Sequence, residues 1–451
     1  MLFVLLLLCA FYSWVTWAEQ HPTGGVAARG LANDLPRLGA AGARVLIVAR
    51  SSPEDVEFAQ TLQGLLMRAG FTVVGVVNGE PVDARHALDN LSRANQPVDL
   101  IACNAITASW GVFQQLTDFP CAARAKLVQP RSYWWPNFLK GDNLLNVANQ
   151  IVVIALVAIG MTMVIIAGGI DLSVGSLIAL SAVLSTRLIR DVAGAEHAGL
   201  AGMVLSCLGG IAACALAGFG SGLFVTQFGV PPFIVTLGTM LVGSGTAFIL
   251  ARGQSIYQVP DSFIWLGRGA GLLGLPNAVW LMAIMYALGY LLMERTALGR
   301  YIYAIGGNRE AALFSGVPVK RVLLFTYGIS GALAGLGGVV TASQLKSGAP
   351  TYGTMYELYV IAAVVVGGTS LLGGEGKMLG TLIGAFIIAV IQNGMNLTGV
   401  ESYTQKVVLG LLILGAVLLD RLRKFGLEYL LRRASSGGAS SSQPRAQRAS
   451  S

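Results

Sequence analysis

Charged residues are scarce in this sequence. Lys, Arg, Asp and Glu make up 12% of the 451 residues, whereas soluble globular proteins carry about 25%. The hydrophobic fraction is 54%, and 58 residues are glycine, which is common in membrane helices. This composition is typical of a polytopic protein of the lipid bilayer. The net charge of +8 lies largely beside apolar segments, so it predicts membrane topology and not a nucleic-acid partner.

Histidine and cysteine are also rare, with three and five residues. The cysteines show no metal-ligand spacing, and neither H-E-x-x-H nor G-x-S-x-G occurs, so we expect no metal site and no catalytic residues. The stretch "GGEGKM" resembles the end of a phosphate-binding loop, but Met378 stands where that loop needs Ser or Thr. The sequence therefore predicts that the chain is not an enzyme, binds no cofactor and does not itself hydrolyse ATP.

Apolar segments follow one another from residue 146 onward, each near the length that a bilayer requires, about 17–25 residues. They lie at residues 147–167, 172–186, 200–225, 233–250, 278–293, 322–341, 358–372, 378–397 and 407–419. The uncharged stretch 1–18 is either a first membrane helix or a cleaved signal peptide, and we favour the helix. The sequence thus predicts an α-helical polytopic membrane protein with about ten transmembrane helices, most of them in a domain at residues 134–420.

Residues 19–133 have a different character. Basic and acidic residues nearly balance there, and the short apolar runs "ARVLIVA", "FTVVGVV" and "VDLIACN" alternate with helical patterns. "KLVQP" is a candidate fourth strand. The alternation predicts a small soluble α/β unit of flavodoxin-like half-lobe type, hereafter the lobe, inserted between helices 1 and 2. Cys103 and Cys121 lie in the lobe, where an extracytoplasmic location permits a disulfide between them.

Positive charges predict the orientation. Arginine and lysine are concentrated in the loop 294–321 and in the tail 421–451, so we expect both to be cytoplasmic. Counting helices from the loop in either direction places both chain termini inside an inner (plasma) membrane and the lobe outside it. The tail ends in the low-complexity stretch "SSGGASSSQPRAQRASS" and is predicted to be disordered.

One acidic residue, Asp171, interrupts the apolar stretch "MVIIAGGIDLSVGSLIAL". An unpaired carboxylate in hydrocarbon costs on the order of several kcal/mol, so Asp171 is a candidate gate or pathway residue. Alternatively, Asp171 or Ser173 caps the next helix in a tight turn. The pattern G-G-x5-G-[S/T]-L-I begins at Gly168 and again at Gly373, which indicates either a parallel internal repeat or chance similarity between glycine-rich helices.

The loop 294–321 has a helical signature of its own. "REAALFSG" predicts a short helix after a glycine break, Gly316 suits its C-terminal end, and Pro318 stops it. A short helix at the membrane surface can dock a cytoplasmic partner; the alternative is an ordinary charged turn.

Residues 137–419 resemble the membrane subunit of ribose/xylose/galactose-type ABC importers, a monosaccharide permease family. The matching stretches occur in family order and include "AIGMTMVIIAGGIDLSVGSLIAL", "ALGRYIYAIGGNREAALFSGVPVKR" and "YELYVIAAVVVGGTSLLGGEGKMLGTLIGAFII". The resemblance implies sugar import by alternating access, in partnership with a second permease copy, cytoplasmic ATPase subunits that use the ATP, and an extracytoplasmic sugar-binding protein. It also implies that the loop 294–321 holds a coupling helix that seats in the ATPase. The coupling residues that carry over are Gly307, Asn308, Glu310, Ala311, Ala312 and Gly316.

Polar residues within the apolar segments are the candidates for the translocation pathway and its gate. They are Asp171, Ser173, Thr239, Tyr356, Glu357, Asn393 and Asn396. Each can instead form a hydrogen bond between helices. The segments hold few ionisable groups, which counts against an ATP-independent secondary sugar transporter, and the short tail counts against a membrane sensor with an outer ligand lobe.

The lobe departs from the family pattern, which has a short external linker at this place. It resembles, more weakly, the N-terminal lobe of periplasmic sugar-binding proteins. Because those proteins bind ligand between two lobes, one lobe alone provides half a cleft. Three roles stay open: docking of a soluble binding protein, partial ligand binding, and a structural role.

Overall fold

The computed structural model describes residues 1–34 and 42–437. They form two compact units, one of Trp17–Asn137 and one of Met1–Thr16 with the chain from Phe138 onward. The elements in chain order are α1 (Leu2–Val15), β1 (Trp17–Gln20), α2 (Gly24–Asp34), β2 (Arg44–Ala49), α3 (Pro53–Arg68), β3 (Thr72–Asn78), α4 (Pro81–Arg93), β4 (Leu100–Cys103), α5 (Ala105–Ala108), β5 (Lys126–Val128), β6 (Tyr133–Pro136), α6 (Gly141–Ile166), α7 (Val174–Asp191), α8 (Leu200–Gln227), α9 (Pro232–Ala251), α10 (Asn277–Arg295), α11 (Ala297–Gly307), α12 (Arg309–Phe314), α13 (Val319–Leu345), α14 (Tyr356–Val366), α15 (Met378–Leu397) and α16 (Ser402–Gly437).

The larger unit is helical, and each apolar segment predicted from the sequence contains a helix. By length and composition, six of the helices in the described ranges can cross a membrane: α6, α8, α9, α10, α13 and α15. Helices α1 and α14 and the first part of α16 are apolar but shorter. The count of ten crossings therefore stays a prediction, whereas the polytopic helical architecture is confirmed.

Helix α6 forms the centre of this unit. Its side chains are buried from Ile151 to Ile166, where it packs against α13, α15 and α14. Helices α8, α9 and α10 lie outside, with most of their apolar side chains exposed. An apolar exterior around a packed centre is the arrangement expected in a bilayer, because the outer side chains face lipid tails and not water.

Glycine brings α8 and α13 into direct backbone contact. A Cβ atom at Gly331 would lie 2.2 Å from the Cys214 carbonyl oxygen, and one at Gly218 would lie 2.3 Å from the Tyr327 carbonyl oxygen. Small residues at such positions let membrane helices approach closely. This contact fixes the position of α13 against α8.

The smaller unit contains a parallel four-stranded sheet in the order β3-β2-β4-β5. The alternation of side chains along β2 buries Val45, Ile47 and Ala49 under α2 and α3, and buries Leu46 and Val48 under α4. The sequence missed one feature, an antiparallel ribbon in which β1 pairs with β6. Both strands are short and their partners lie at opposite ends of the lobe, so no local turn signal marks the pairing.

The disulfide that the sequence permits between Cys103 and Cys121 does not form, because both are free thiols. Cys121 Sγ donates a hydrogen bond to the Leu88 carbonyl oxygen at 3.4 Å. Burial raises the pKa of the Cys103 thiol to about 12, so this thiol stays protonated at neutral pH. Both cysteines lie in the apolar layer between the sheet and α4, where a thiol packs as a small hydrophobic group.

Helix α16 runs on to Gly437, so the first part of the predicted disordered tail 421–451 is helical. Residues 421–433 are rich in leucine, arginine and lysine, which are good helix formers. The rest of that segment lies outside the described residues.

The close contact between α8 and α13 can be tested by adding one methyl group. Gly331→Ala places a methyl group against the Cys214 carbonyl oxygen, so we expect the free energy of unfolding to fall by about 1–3 kcal/mol. Gly328→Ala is the matched control on the same helix, since its Cβ would meet Phe219 at 3.9 Å, an ordinary contact. Thermal unfolding of the detergent-solubilised protein measures both; equal shifts would contradict the backbone contact.

Candidate functional site

Asp171 lies in the interruption between α6 and α7 and is 1% exposed. Its Oδ1 accepts hydrogen bonds from the Ser173 backbone N–H at 3.0 Å and from Ser173 Oγ at 2.6 Å. Its Oδ2 accepts a bond from Ser330 Oγ at 2.7 Å. Ser330 lies near the middle of α13, so the carboxylate ties the interruption to the interior of a long helix.

The expectation that Asp171 or Ser173 caps α7 needs a refinement. Ser173 is the residue at the N-cap position, but its side chain makes no capping bond to the helix. Instead, the Asp171 carboxylate takes the Ser173 N–H in a turn that Gly168 enters with a φ of +83°. The carboxylate thus satisfies the polar groups that a broken helix leaves inside the protein.

A second interruption, between α14 and α15, touches the first. The Gly374 N–H donates to the Ile166 carbonyl oxygen at 2.9 Å, and a Cβ at Gly373 would lie 3.1 Å from Gly168 Cα. The end of α11 joins them, because a Cβ at Gly306 would lie 1.7 Å from the Ile166 carbonyl oxygen. We call this three-way backbone contact the glycine junction. The two stretches that the sequence pairs by pattern therefore meet in space.

Glu357 lies in the first turn of α14, on the border of a cavity of about 190 Å³. The side chain rests against Gly175 in the first turn of α7: a Cβ there would lie 2.2 Å from Glu357 Oε2. Tyr356 is half-buried, and its ring meets the Tyr359 ring edge-to-face at 6.2 Å between centroids. The Glu357 carboxylate therefore lies where the first turns of α7 and α14 meet.

The other pathway candidates do not join this site. Thr239 Oγ1 lies 2.8 Å from Ser221 Oγ and links α9 to α8. Asn393 and Asn143 exchange side-chain amide bonds of 2.8 and 3.0 Å, which tie α15 to the start of α6. Asn396 accepts a bond from Gln405 Nε2 at 2.8 Å. These three residues therefore hold helices together.

The coupling candidates form a separate cluster around α12. Asn308 caps this helix, since its Oδ1 accepts the Ala311 N–H at 2.9 Å. Gly307 ends α11 directly before it, and Gly316, with a φ of +81°, ends the turn after it. Glu310 and Ala311 are exposed. Ala312 is buried on the inner side of the helix.

Two apolar side chains on α12 are exposed, which the sequence does not predict. Phe314 is 87% exposed and Leu313 61% exposed. The sequence places both in a helical pattern, and only the fold shows that they point away from the protein. In a membrane protein, neighbouring exposed apolar side chains either face lipid or contact another protein.

Comparison with known proteins gives a family match that begins after the lobe. Residues 143–417 match the family described as "Branched-chain amino acid transport system / permease component". The chain is 42% identical over 293 residues to the ribose import permease protein RbsC of Escherichia coli (strain K12), which covers 63% of this chain and 87% of that protein. It is 44% identical over 288 residues to RbsC of Bacillus subtilis (strain 168), with the same coverage. It is 37% identical over 285 residues to the D-allose transport system permease protein AlsC of Escherichia coli (strain K12), covering 63% and 85%. No solved structure matches the chain.

The bond from Ser330 to Asp171 predicts a loss of stability when the donor is removed. Ser330→Ala leaves Asp171 Oδ2 without the one donor that the described residues give it, so we expect the free energy of unfolding to fall by about 1–3 kcal/mol. Thr326→Val is the control one turn earlier on α13, where the hydroxyl bonds to its own helix at the Val322 carbonyl oxygen. Chemical unfolding in detergent compares the two; a loss no larger than that of the control would contradict the structural role of this bond.

Proposed function

The chain belongs to this family of ABC importer permeases, and from that premise we propose that it moves a monosaccharide across the inner membrane. The observation that carries the proposal is the 42% identity along 87% of a ribose import permease. Relatives at 37% and 34% identity are named for D-allose and L-arabinose. We therefore favour a sugar of the ribose, xylose or galactose class over the amino acids of the family description.

Family membership makes the chain a transport subunit and not an enzyme. The importers of this family work with a separate ATPase and an extracytoplasmic substrate-binding protein. We further propose that two copies of the permease, or this chain and a related one, assemble around the pathway. ATP-driven closure of the ATPase subunits then changes the packing of the helices and alternates access.

The proposed topology has ten crossings, with both termini in the cytoplasm. The domains that we propose are a first helix (1–18), the extracytoplasmic lobe (19–133), the permease domain (134–420), the coupling loop (294–321) and the tail (421–451). Tryptophans support the membrane boundary at the lobe: Trp14, Trp17, Trp134 and Trp135 are all exposed at the points where the chain leaves α1 and approaches α6. Such aromatic residues favour the interface between hydrocarbon and water.

The lobe is proposed to dock the substrate-binding protein. At the carboxyl ends of β2 and β4, in the region where open α/β sheets bind ligands, polar side chains bond to one another. The buried Asp55 accepts bonds from Arg50 Nε at 2.6 Å and from Asn104 Nδ2 at 2.7 Å. Asn104 Oδ1 in turn accepts the backbone N–H groups of Ile106 and Thr107. Since these groups are already paired, the arrangement favours a protein partner over partial ligand capture.

The polar residues proposed from the sequence for the translocation pathway fall into three groups according to their contacts. We propose that Asp171 and Ser173 hold the gate region in shape, and that Tyr356 and Glu357 face the pathway. Thr239, Asn393 and Asn396 are proposed to fix helix packing, because each has a partner on a neighbouring helix.

Helix α12 is proposed as the coupling helix, with Phe314 as its main contact to the ATPase. We expect Phe314→Ala to weaken co-purification with the ATPase encoded nearest to this chain by about tenfold, because a fully exposed aromatic anchor carries much of the energy of such a contact. Phe228→Ala is the control, since Phe228 is 69% exposed and lies outside the coupling loop. Equal co-purification of both variants would contradict the assignment.

The glycine junction is proposed to transmit the movement of α12 to the two helix interruptions. Gly306→Ala places a methyl group 1.7 Å from the Ile166 carbonyl oxygen and 2.5 Å from Gly374 N. We expect the complex to assemble and hydrolyse ATP while sugar import falls about tenfold, because the added methyl group disrupts the backbone contacts that couple α12 to the two interruptions.

The neighbouring Gly307→Ala serves as comparison, since a Cβ there meets nothing within 4 Å, and we expect a smaller loss. Import and ATP hydrolysis are measured on the same reconstituted complex. An unchanged ratio of sugar moved to ATP hydrolysed in Gly306→Ala would contradict the junction, as would loss of ATPase binding.

A further inference from the structure

We propose that the cavity between the first turns of α7 and α14 is a water-filled site in the translocation pathway, and that Glu357 there accepts hydrogen bonds from the hydroxyl groups of the sugar. This inference rests on the proposed import function and adds a specific binding site to it. Its polar lining is formed by Ser176, Ser244, Tyr352, Thr354 and Glu357.

Three parts of the chain build the cavity. Ser176 comes from α7, Ser244 from α9, and the remaining polar groups from the segment between α13 and α14 and from the start of α14. The Tyr352 hydroxyl lies 2.5 Å from Ser347 Oγ, which fixes the ring at the cavity wall. Helices that begin inside a transporter bring backbone N–H groups and side chains to one point, which is where substrates bind in discontinuous-helix carriers.

The cavity lies at the depth of the hydrocarbon core. Gly353 packs against Ile178 of α7, and Gly338 of α13 packs against the same residue. Gly338 and the Asp171 partner Ser330 both lie within α13, which is long and apolar enough to cross the membrane. Since about 20 helical residues span the core, the middle of such a helix lies in it, and so does the cavity beside it.

A carboxylate at this depth cannot face lipid without a large cost. Glu357 is half-buried, and in the described part of the chain no other side chain bonds or pairs with it. The outer faces of α8 and α9 are different, since the large side chains exposed there are apolar, as at Leu205 and Ile249. Glu357 therefore identifies the face of the permease that meets water.

The backbone is shaped to admit the carboxylate. Gly175 leaves the space that Glu357 Oε2 fills, because a Cβ would lie 2.2 Å from that oxygen and 2.6 Å from the Gly353 carbonyl oxygen. Met355, directly before α14, has a φ of +69°, which is strained for a residue with a side chain. Strained residues of this kind cluster at functional sites, where the surrounding structure holds them in place.

The chemistry of the lining selects a neutral ligand rich in hydroxyl groups. A carboxylate accepts hydrogen bonds from two adjacent hydroxyls of a sugar, and serine and threonine hydroxyls both donate and accept. With one carboxylate and no basic side chain in the lining, the site disfavours anions. The small number of contacts implies weak binding, which suits a step in transport from which the sugar must leave again.

The first test measures water at position 357. In a complex whose native cysteines are replaced by serine or alanine, Glu357→Cys is compared with Leu205→Cys, whose side chain is 68% exposed on the apolar face of α8. The probe is a charged, membrane-impermeant methanethiosulfonate. We expect Glu357→Cys to react more than about tenfold faster, because the reactive thiolate forms in water. Equal rates would overturn the inference.

The second test asks whether Glu357 contacts the sugar, by measuring the rate and the selectivity of import. In proteoliposomes with the ATPase and the binding protein, we expect Glu357→Gln to lower the maximal import rate about tenfold and to reduce the preference for the imported sugar over its deoxy analogues. A purely structural role would not change that preference. Glu401→Gln is the matched control, since Glu401 is exposed before α16.

The outcomes separate the inference from the proposed function. If the wild type imports sugar with ATP but Glu357→Gln keeps both the import rate and the sugar preference, the inference fails while the proposed function stands. If the wild type imports sugar without ATP, the proposed function fails.

Discussion

The hydrogen bond from the Gly374 N–H to the Ile166 carbonyl oxygen reflects the constraint on which this membrane domain depends. Inside a bilayer, every polar backbone group that a broken helix releases needs a partner within the protein. Here the two helix interruptions lie against each other and against the end of α11. Backbone groups released by one interruption therefore find partners in the other. The glycines make this possible, because at Gly306 even one methyl group would overlap a carbonyl oxygen.

The same arrangement connects the proposed contact with the ATPase to the proposed sugar pathway. The capped helix α12, with Phe314 exposed, follows directly after the glycine junction. On the other side of the junction, one interruption holds Asp171 against Ser330, and α14 leads back to Glu357. We therefore propose that a displacement of α12 reaches both carboxylates, first through the backbone contacts of the glycine junction and then along α14 to Glu357. Because packed backbones do not deform gradually, such a path favours two discrete arrangements over a continuous change.

Local signals in the sequence predicted much of the fold. Long apolar segments located the helices, and the alternation of short apolar runs with helical patterns placed the strands β2 to β4 of the lobe. Features that depend on distant partners were not predictable. Ser330 looks like any small polar residue of a membrane helix until α13 is placed beside Asp171. The ribbon of β1 with β6 and the free state of Cys103 likewise depend on tertiary register, and the exposure of Phe314 is visible only once α12 is oriented.

The central claim is that this chain moves a monosaccharide only as part of an ATP-driven complex. The most direct measurement is uptake of radiolabelled ribose, D-allose and L-arabinose into proteoliposomes that contain the chain, the neighbouring ATPase and the binding protein. The account predicts uptake of at least one of these sugars that requires all three proteins and stops when a non-hydrolysable analogue replaces ATP. Uptake by the chain alone, without ATP or ATPase, would contradict it.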